Sequence, residues 1–573
     1  MHAYRLTLLL LVATAASSSA RPPSPVLTAA LPAAICHAAP PRADVPPNLA
    51  GWAAGAQLFD GLGGFHRPAG TASAPAQLYF DQGMRWLFAF NHDEATRSFA
   101  RAAQLDPRCA MCFWGVALAI GPNYNLPLMS APRGQVAYAA MQQAITLADR
   151  AAPVDQALIA ALARRYPSAS AISGSNYAPL QAAYADAMRA MAQRFPADDD
   201  VATLTAEAMM GVNAWKLWSL DGKPAAGTPQ IVALLEQVLA RDPGHPGANH
   251  YYIHAVEASP DPGRAELSAD RLAAMMPAAG HLVHMPSHIY QLIGRYADAA
   301  RINDLAARAD LAYFARTRPL DYYTFYTEHN WQFQAFATVN IGRHVETLAA
   351  VRRARALYSD ADLVANGDSG WGMASVYFMP ARFGDWAALV AAPPPDPRLP
   401  ALTAAWLWGR GNALAALGRV DEARAARARL AQIDAVTKAD VQTGNNSLRA
   451  IYHMALLTLD ARIASAAGDQ RARLTWLDEA ARAEDALAYD EPADWEMPVR
   501  PLLGRAMLEA HRPAEAEMVY REDLRRRPGN GWSLLGLSQA LAEQARAGDA
   551  AEARAHFDKV WATADVTPAH SAF

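Results

Sequence analysis

The chain has 573 residues, which is too long for one compact core, so it must form several domains or one array of stacked units. Charged residues make up 18% of it, and 51 Lys and Arg stand against 55 Asp and Glu for a net charge of −4. This near balance argues against a nucleic acid as partner. Alanine, leucine and arginine dominate over β-branched residues, so the expected fold class is all-α.

The first residues, MHAYRLTLLLLVATAASSSA, have the pattern of a secretory signal peptide over residues 1–20. A basic Arg5 precedes an apolar run that ends in small residues, as an export signal requires. Residues 21–50 are rich in Pro and Ala, which predicts a disordered leader. No later apolar run approaches the roughly 20 residues that span a bilayer, so no membrane span is expected. The sequence therefore predicts a periplasmic or secreted protein.

From Ala76 the sequence AQLYFDQGMRWLFAFNHDEATRSFARAAQLDPR predicts a pair of antiparallel helices. Gly83 and Ala95 are small enough to let the two helices cross closely. Phe99 would fill the gap to the next pair, and Pro107 would end the second helix. This spacing resembles the tetratricopeptide repeat (TPR), whose period is about 34 residues.

The same intervals return near the C-terminus in LLGRAMLEAHRPAEAEMVYREDLRRRP, at Gly504, Ala516, Tyr520 and Pro528. Each such unit buries its apolar face only against its neighbours. The expected fold is therefore a right-handed α-solenoid of TPR-like helix pairs with one concave surface. Its expected divisions are N-terminal repeats at 51–135, irregular helical repeats at 136–245, histidine-rich repeats at 246–357, an irregular insertion at 358–400 and C-terminal repeats at 401–565.

Cys109 and Cys112 form a C-x-x-C motif within the N-terminal repeats. In an oxidising compartment such a pair could close a local disulfide or supply thiolates to a metal, and two small helix-packing residues are the alternative. No histidine follows Cys112, so covalent attachment of haem is not supported.

Six of the 16 histidines lie between residues 250 and 329. In NHYYIHAVEA, His250 and His254 are four residues apart and Glu257 is three further on, so the three share one face of a helix. In HLVHMPSH, His284 and His288 are again four apart, with His281 three residues before. Pro286 must begin or kink the second helix.

The two histidine segments are about 34 residues apart, which is one repeat period. First helices of successive repeats lie side by side, so the two histidine pairs should face each other across about 10 Å between helix axes. His329, in YTEHNWQF, belongs to the following unit. Imidazole is a common ligand of zinc and copper, so three histidines, completed by Glu257 or Glu328, would suit a divalent metal.

The alternative is a buried, hydrogen-bonded cluster that binds an anion or only packs. The metalloprotease motif H-E-x-x-H is absent, as are G-x-S-x-G, the Walker loop and G-x-G-x-x-G. For proton transfer the candidates are Glu257, Glu328 and Tyr290.

Polar stretches outside the repeat pattern could line the same groove, although surface loops are the plain alternative. These are FNHDEA, GPNYN and YDEPADWEMPVR, and in the last of them Arg500 near Glu491 and Trp495 could clamp a carboxylate. The candidate ligand-binding residues are Asn249, Asn330, Trp495 and Arg500.

Taken together, FNHDEATRSFARAAQLDPRCAMCFWGVAL, NHYYIHAVE, HLVHMPSHIYQLIGRYADA, HNWQF and DWEMPVRPLLG resemble a family of exported bacterial TPR proteins. HMPSHIY is the most specific piece. The resemblance implies the solenoid fold but no activity. It departs at Gln332 and Phe333, where a histidine and an aromatic residue are expected.

Three functions fit these observations. The first is an exported solenoid whose concave groove binds a peptide, a protein or a small ligand and whose histidines hold a divalent metal. The second is a zinc- or copper-dependent metalloenzyme on the same scaffold, with an open position on the metal. The third is a protein-interaction scaffold in which the histidines only pack.

Overall fold

The computed structural model describes residues 45–168, 177–317, 323–365 and 369–573. The expected signal peptide at 1–20 lies outside the described residues, as does the leader at 21–50 except for its last six residues. The described part of the chain is built from α-helices, four short 3₁₀ turns and one small hairpin. It contains no helix with both the length and the apolar character to cross a membrane.

The helices of the first half are α1 Leu49–Ala54, α2 Ala74–Phe88, α3 His92–Leu105, α4 Ala110–Ala119, α5 Ala131–Leu147, α6 Pro153–Ala163, α7 Tyr177–Arg194, α8 Asp199–Met210, α9 Thr228–Arg241, α10 Pro246–Val256, α11 Glu266–Met275, α12 Gly280–His284 and α13 Pro286–Leu292. The helices of the second half are α14 Tyr296–Arg316, α15 Tyr323–Asn340, α16 His344–Ala356, α17 Asp360–Ala365, α18 Ser375–Phe383, α19 Trp386–Ala391, α20 Pro400–Ala416, α21 Val420–Val436, α22 Leu448–Ala466, α23 Gln470–Asp485, α24 Val499–Glu509, α25 Pro513–Arg526, α26 Gly531–Glu543 and α27 Ala547–Val560. The 3₁₀ turns are Ala148–Arg150, Gly211–Asn213, Pro262–Ala265 and Ser369–Met373.

Most helices pack against the helix that follows them in the chain, as in α2 on α3, α14 on α15, and α24 on α25. Such neighbour-to-neighbour packing is what a solenoid of helix pairs requires. The all-α solenoid of TPR-like helix pairs expected from the sequence is confirmed.

The N-terminal repeat closes around one buried ring. A Cβ atom added to Gly83 in α2 would lie 2.6 Å from the Phe99 ring, and one added to Gly115 in α4 would lie 2.4 Å from it. Phe99 is in α3 and has no exposed surface. Both glycines are therefore needed for space, because any side chain there would overlap the ring.

The C-terminal repeat uses the same arrangement. Cβ atoms on Gly504 in α24 and Gly536 in α26 would lie 2.4 Å and 2.2 Å from the Tyr520 ring. Here the ring carries a hydroxyl, which contacts the Ser571 hydroxyl at 2.6 Å. The structure thus confirms the close helix crossings that the glycine and aromatic spacing predicts.

The histidine-bearing centre begins with a tight contact between α12 and α14. A Cβ atom on Gly280, at the start of α12, would lie 1.9 Å from Asp310 Oδ1 and 2.9 Å from the Ala306 carbonyl oxygen. Pro286 is the first residue of α13, so it begins a new helix as expected. The break between α12 and α13 places the three histidines of HLVHMPSH on two short helices.

One short hairpin lies between α21 and α22, with β1 (Gln442–Thr443) antiparallel to β2 (Asn446–Ser447). Its turn holds the loop that precedes α24, because the Asn445 amide donates to Asp490 Oδ2 at 2.7 Å and Asn446 Nδ2 donates to Asp494 Oδ2 at 2.8 Å. This loop contacts the histidine region through Glu491, which pairs with His288.

The cysteine pair is joined. Cys109 and Cys112 form a disulfide at the start of α4. Neither residue therefore supplies a thiolate to a metal.

Candidate metal centre

The fold brings all six predicted histidines together from four helices, and none is more than 7% exposed. They form two groups, which are a first triad of His250, His254 and His281 and a second triad of His284, His288 and His329. Within each triad, one nitrogen of every ring lies within 4.8 Å of the other two. The expectation that the two segments face each other is confirmed, since the His254 and His288 ring centroids are 5.8 Å apart.

Two rings of the first triad are held by hydrogen bonds from Nδ1. His250 Nδ1 donates to the Phe88 carbonyl oxygen at 2.6 Å, and His254 Nδ1 donates to Glu257 Oε1 at 3.0 Å. Both partners only accept, so the proton sits on Nδ1 and Nε2 keeps its lone pair. A carbonyl or carboxylate behind the ring is the usual support of a histidine that binds a metal.

The ring nitrogens of the first triad that take no part in these two hydrogen bonds have no hydrogen-bond partner among the described residues. This holds for Nε2 of His250 and of His254 and for both nitrogens of His281, all of them buried. Each unpaired buried polar group costs about 1–3 kcal/mol. In a tetrahedral zinc site with Zn–N of about 2.0–2.1 Å, ligand nitrogens lie about 3.4 Å apart, so small ring movements would suffice to bind a metal.

The first triad is uncharged. Burial lowers the pKa of His250 and of His281 well below the usual value, and the neighbouring histidines lower it further. Burial also lowers the pKa of His254, against the opposing effect of Glu257. Neutral imidazole is the form that binds metals, so no proton needs to leave before binding at neutral pH.

Aromatic side chains enclose the first triad. The Phe90 ring lies 4.4 Å from the His250 ring, Tyr326 lies 4.1 Å from His281, and Tyr124 lies 5.2 Å from His254, measured between centroids. Phe90 and Trp215, which also contacts His254, adopt left-handed backbone conformations with φ of 52° and 61°. His511 and Ala545 are left-handed in the equivalent turns between α24 and α25 and between α26 and α27, so the conformation of Phe90 belongs to the turn of the helix pair.

The second triad differs because two of its nitrogens face each other. Asn303 Nδ2 donates to the Ala299 carbonyl oxygen, so its Oδ1 is the acceptor for His284 Nδ1 at 2.6 Å. The lone pair of His284 Nε2 therefore points at His288 Nε2, which is 2.8 Å away. Only a proton or a cation between the two nitrogens makes this contact favourable.

His288 supplies that proton. Its Nδ1 donates to Glu257 Oε2 at 2.8 Å and also pairs with Glu491. Burial opposes a charge on the ring, but the carboxylates of Glu491 and Glu257 outweigh it and raise the pKa of His288 to about 10. The second triad thus holds a proton, whereas the inward-facing nitrogens of His250 and His254 in the first triad offer only lone pairs. Glu257 links the two triads, because it contacts His254 of the first and His288 of the second.

An acidic cavity of about 100 Å³ lies beside the second triad and is lined by His329 and Glu491. Four further carboxyl groups line it, from Glu328, Asp490, Asp494 and Glu496. Burial raises the pKa of Glu328 to about 8 and that of Glu496 to about 7.

The resemblance to exported TPR proteins departs from its pattern at Gln332 and Phe333. The Gln332 side chain donates to Glu328 Oε1 at 2.5 Å, and the Phe333 ring packs on the His288 ring at 4.7 Å between centroids.

The other candidate residues have partners of their own. The Tyr290 hydroxyl donates to Asp270 at 2.8 Å under the Arg295 guanidinium. Asn249 Nδ2 donates to backbone carbonyls at the start of α10, and Asn330 Nδ2 donates to Asp310 at 2.8 Å.

Trp495 and Arg500 lie in the C-terminal half. Trp495 packs between Phe378 and Trp408, at 5.0 and 5.6 Å between centroids. Both terminal nitrogens of Arg500 bind the Asp485 carboxylate, at 2.9 and 2.7 Å. Neither residue is part of the two triads.

A comparison with protein families found no match for this chain, and neither did one with curated proteins. Among solved structures, the human IFIT1 dimer with m7Gppp-AAAA is 11% identical with a TM-score of 0.33, and the match covers 79% of this chain and 90% of that one. Yeast Tom70 is 10% identical with a TM-score of 0.28, covering 83% and 90%. The Cut9–Hcn1 hetero-tetramer of the APC/C is 11% identical with a TM-score of 0.27, covering 86% and 88%. Likenesses at this level carry no inference about function.

Proposed function

We propose that this protein is an exported metal-binding solenoid whose first triad holds zinc or copper. The observation that carries the proposal has two parts. One ring nitrogen from each of His250, His254 and His281 lies within 4.8 Å of the other two, and Nε2 of His250, Nε2 of His254 and both nitrogens of His281 are buried without hydrogen-bond partners among the described residues. A metal ion would satisfy all three at once. Imidazole nitrogen suits both zinc and copper, so the proposal names the pair of metals.

The alternative ligand, an anion, fits the first triad poorly. Anion sites present donors, whereas the Nδ1 protons of His250 and His254 are used on Phe88 and Glu257. The nitrogens that face inward on these two rings are therefore acceptors. Packing alone fits poorly as well, because three unpaired nitrogens would cost several kcal/mol out of a net stability of about 5–15 kcal/mol.

A metalloenzyme is the second candidate. Three protein ligands leave one position of a tetrahedral metal open, as in catalytic zinc sites. The acidic cavity beside His329 and Glu491 supports this candidate, because it supplies a small chamber next to the second triad. In this proposal Glu257 and Glu328 remain the candidates for moving protons, since Glu257 bonds His254 and His288 and Glu328 lines the acidic cavity together with His329.

Export and a binding partner belong to the same proposal. The disulfide between Cys109 and Cys112 suits an oxidising compartment such as the periplasm. A peptide or protein partner would bind the concave face that solenoids of this type present. A cavity of about 1530 Å³, lined among others by residues 62–68, 152–155 and 194–200, offers room for an extended segment.

The test is elemental analysis of protein purified without a metal-affinity column. We expect about one zinc or copper per chain in the wild type and a loss of that metal in the His250→Ala/His254→Ala variant. A matched control is His453→Ala/His556→Ala, which removes two exposed histidines outside the triads. Equal metal content in both variants, or none in the wild type, would contradict the proposal.

A further inference from the structure

The acidic cavity is formed where several parts of the chain meet, among them the hairpin at residues 442–444. Phe325, Glu328 and His329 come from α15, and Trp371 comes from the 3₁₀ turn at 369–373. Residues 490–494 and Glu496 come from the loop held by the hairpin. Its volume of about 100 Å³ equals about three water molecules. It is therefore large enough for a short organic group and too small for a peptide or a protein.

All five carboxyl groups accept a hydrogen bond or pair within the protein, the four other than Glu496 as follows. Asp490 accepts from the amides of Asn445 and Glu491, Asp494 accepts from Asn446, and Glu328 accepts from Gln332. Glu491 pairs with His288. These contacts hold the lining carboxyl groups in position.

Like Glu328, Glu496 keeps one oxygen free of such contacts. Its Oε1 accepts from the Ser375 hydroxyl at 2.5 Å, whereas its buried Oε2 has no hydrogen-bond partner within the described chain. The residue is 8% exposed and lines the cavity. A buried carboxylate oxygen without a donor is costly, so it points to a ligand that brings one.

The lining has an excess of acidic side chains. Of the described residues that line the cavity, none is Lys or Arg, and the only basic side chain is the neutral His329. The Arg382 guanidinium donates to the Glu496 backbone carbonyl and to Asn340 Oδ1, and it is not part of the lining. The complementary ligand is therefore a cation.

Two observations favour an organic cation over a metal ion. Of the residues that line the cavity, His329 and Glu491 belong to groups of three described side chains that could chelate a metal, but Glu328 and Glu496 belong to none. The lining also presents Phe325 and Trp371, whose ring faces attract ammonium groups. Carboxylates combined with aromatic faces suit an ammonium group that carries a short carbon chain.

We propose that this cavity binds the primary ammonium group of a small amine, with Glu496 Oε2 as an acceptor and His329 at its inner wall. The proposal names the substrate class of the second candidate function and in that sense rests on it. Binding itself needs only the cavity, so it can be tested apart from the metal.

The experiment is calorimetric titration of the full chain with n-propylammonium chloride at pH 7.5, with 1-propanol as the neutral probe of similar shape. We expect saturable binding of one propylammonium per chain and none of propanol. Glu496→Gln should weaken binding by at least about 10-fold, because a hydrogen bond to a charged group is lost. The exposed Glu479→Gln removes one charge elsewhere and should bind as the wild type does.

Three outcomes would overturn the proposal. They are the absence of saturable propylammonium binding, equal affinity for the wild type and Glu496→Gln, and displacement of propylammonium by equimolar calcium chloride, which would make the cavity a site for a hard cation. If circular dichroism shows that Glu496→Gln is unfolded, Glu496→Asp takes its place, since it keeps the charge but withdraws the carboxylate by one methylene. The His250→Ala/His254→Ala variant should bind propylammonium normally, so failure of the metal proposal is distinguishable from failure of this one.

Discussion

The terminal repeats and the histidine-bearing centre are both built from TPR-like helix pairs, but they fill their interiors with different chemistry. In the terminal repeats one ring, Phe99 or Tyr520, is enclosed between two glycines. In the centre six imidazoles occupy the interior, and several of their nitrogens have no partner among the described residues. Apolar rings stabilise the repeat that contains them, whereas unpaired imidazoles reduce stability unless a ligand satisfies them. The comparison therefore separates residues kept for packing from residues kept for binding.

The largest expected effect comes from the enclosed rings. Phe99→Ala and Tyr520→Ala should each lower the free energy of unfolding by about 3–5 kcal/mol, because the ring leaves a cavity between three helices. Urea denaturation monitored by circular dichroism gives the change. A loss below about 1 kcal/mol in either variant would show that the repeat does not depend on its ring.

The glycines on either side of each ring should affect stability only because they leave room for the ring. Gly115→Ala and Gly536→Ala should destabilise by about 1–3 kcal/mol, because their Cβ atoms would overlap Phe99 and Tyr520. Gly548→Ala is the matched control, since Gly548 is exposed in α27 and its Cβ would meet nothing within 4 Å. If all three variants unfold at the same denaturant concentration, the close packing has no energetic role.

Asp310, in the centre, should make stability depend on pH. Its neighbours are neutral donors, from Tyr323, Thr327 and Asn330, and burial raises its pKa to about 7. The folded state then holds a proton that the unfolded chain releases above pH 4. The contribution of Asp310 is present at low pH and is lost as the pH rises towards 7, by up to about 1.4 kcal/mol per pH unit.

The check is the unfolding free energy of the wild type minus that of Asp310→Asn, measured from pH 4 to pH 8. This difference should fall with pH up to about 7 and then level off. A difference that does not change over this range would mean that Asp310 is ionised in the folded protein throughout.

The smallest expected change is the most informative for the histidines. In metal-free protein His281→Leu should leave stability unchanged or raise it by about 1–3 kcal/mol, because both ring nitrogens of His281 lack partners within the described residues. His245 is the matched control, since its Nε2 bonds Asp200 and its Nδ1 accepts from the Ala248 amide. His245→Leu should cost about 1–3 kcal/mol in the same denaturation assay. A similar loss in both variants would make His281 a packing residue.

The spacing of residues along the sequence was sufficient to predict the helix pairs and to predict that the two histidine segments face each other. Gly83, Phe99 and their C-terminal counterparts follow from intervals within one helix pair, and the facing of α10 against α12 and α13 follows from one repeat period. Such predictions hold because helical geometry relates spacing in sequence to a face in space.

The division into two triads could not be predicted in this way. It depends on which nitrogens are occupied, and the partners are a backbone carbonyl at Phe88, the amide of Asn303 and the carboxylate of Glu491. These contacts join distant parts of the chain and leave no periodic signal. The stretches GPNYN and YDEPADWEMPVR, which contain Tyr124 and Glu491, were the only sign that such parts could reach the histidines.

The most direct test of the central claim is an X-ray crystal structure of the protein purified with its metal, with anomalous data collected at the zinc and copper edges. The account predicts one anomalous peak at about 2.0–2.1 Å from Nε2 of His250 and His254 and from a ring nitrogen of His281. No peak at the first triad, or a peak only between His284 and His288, would contradict it.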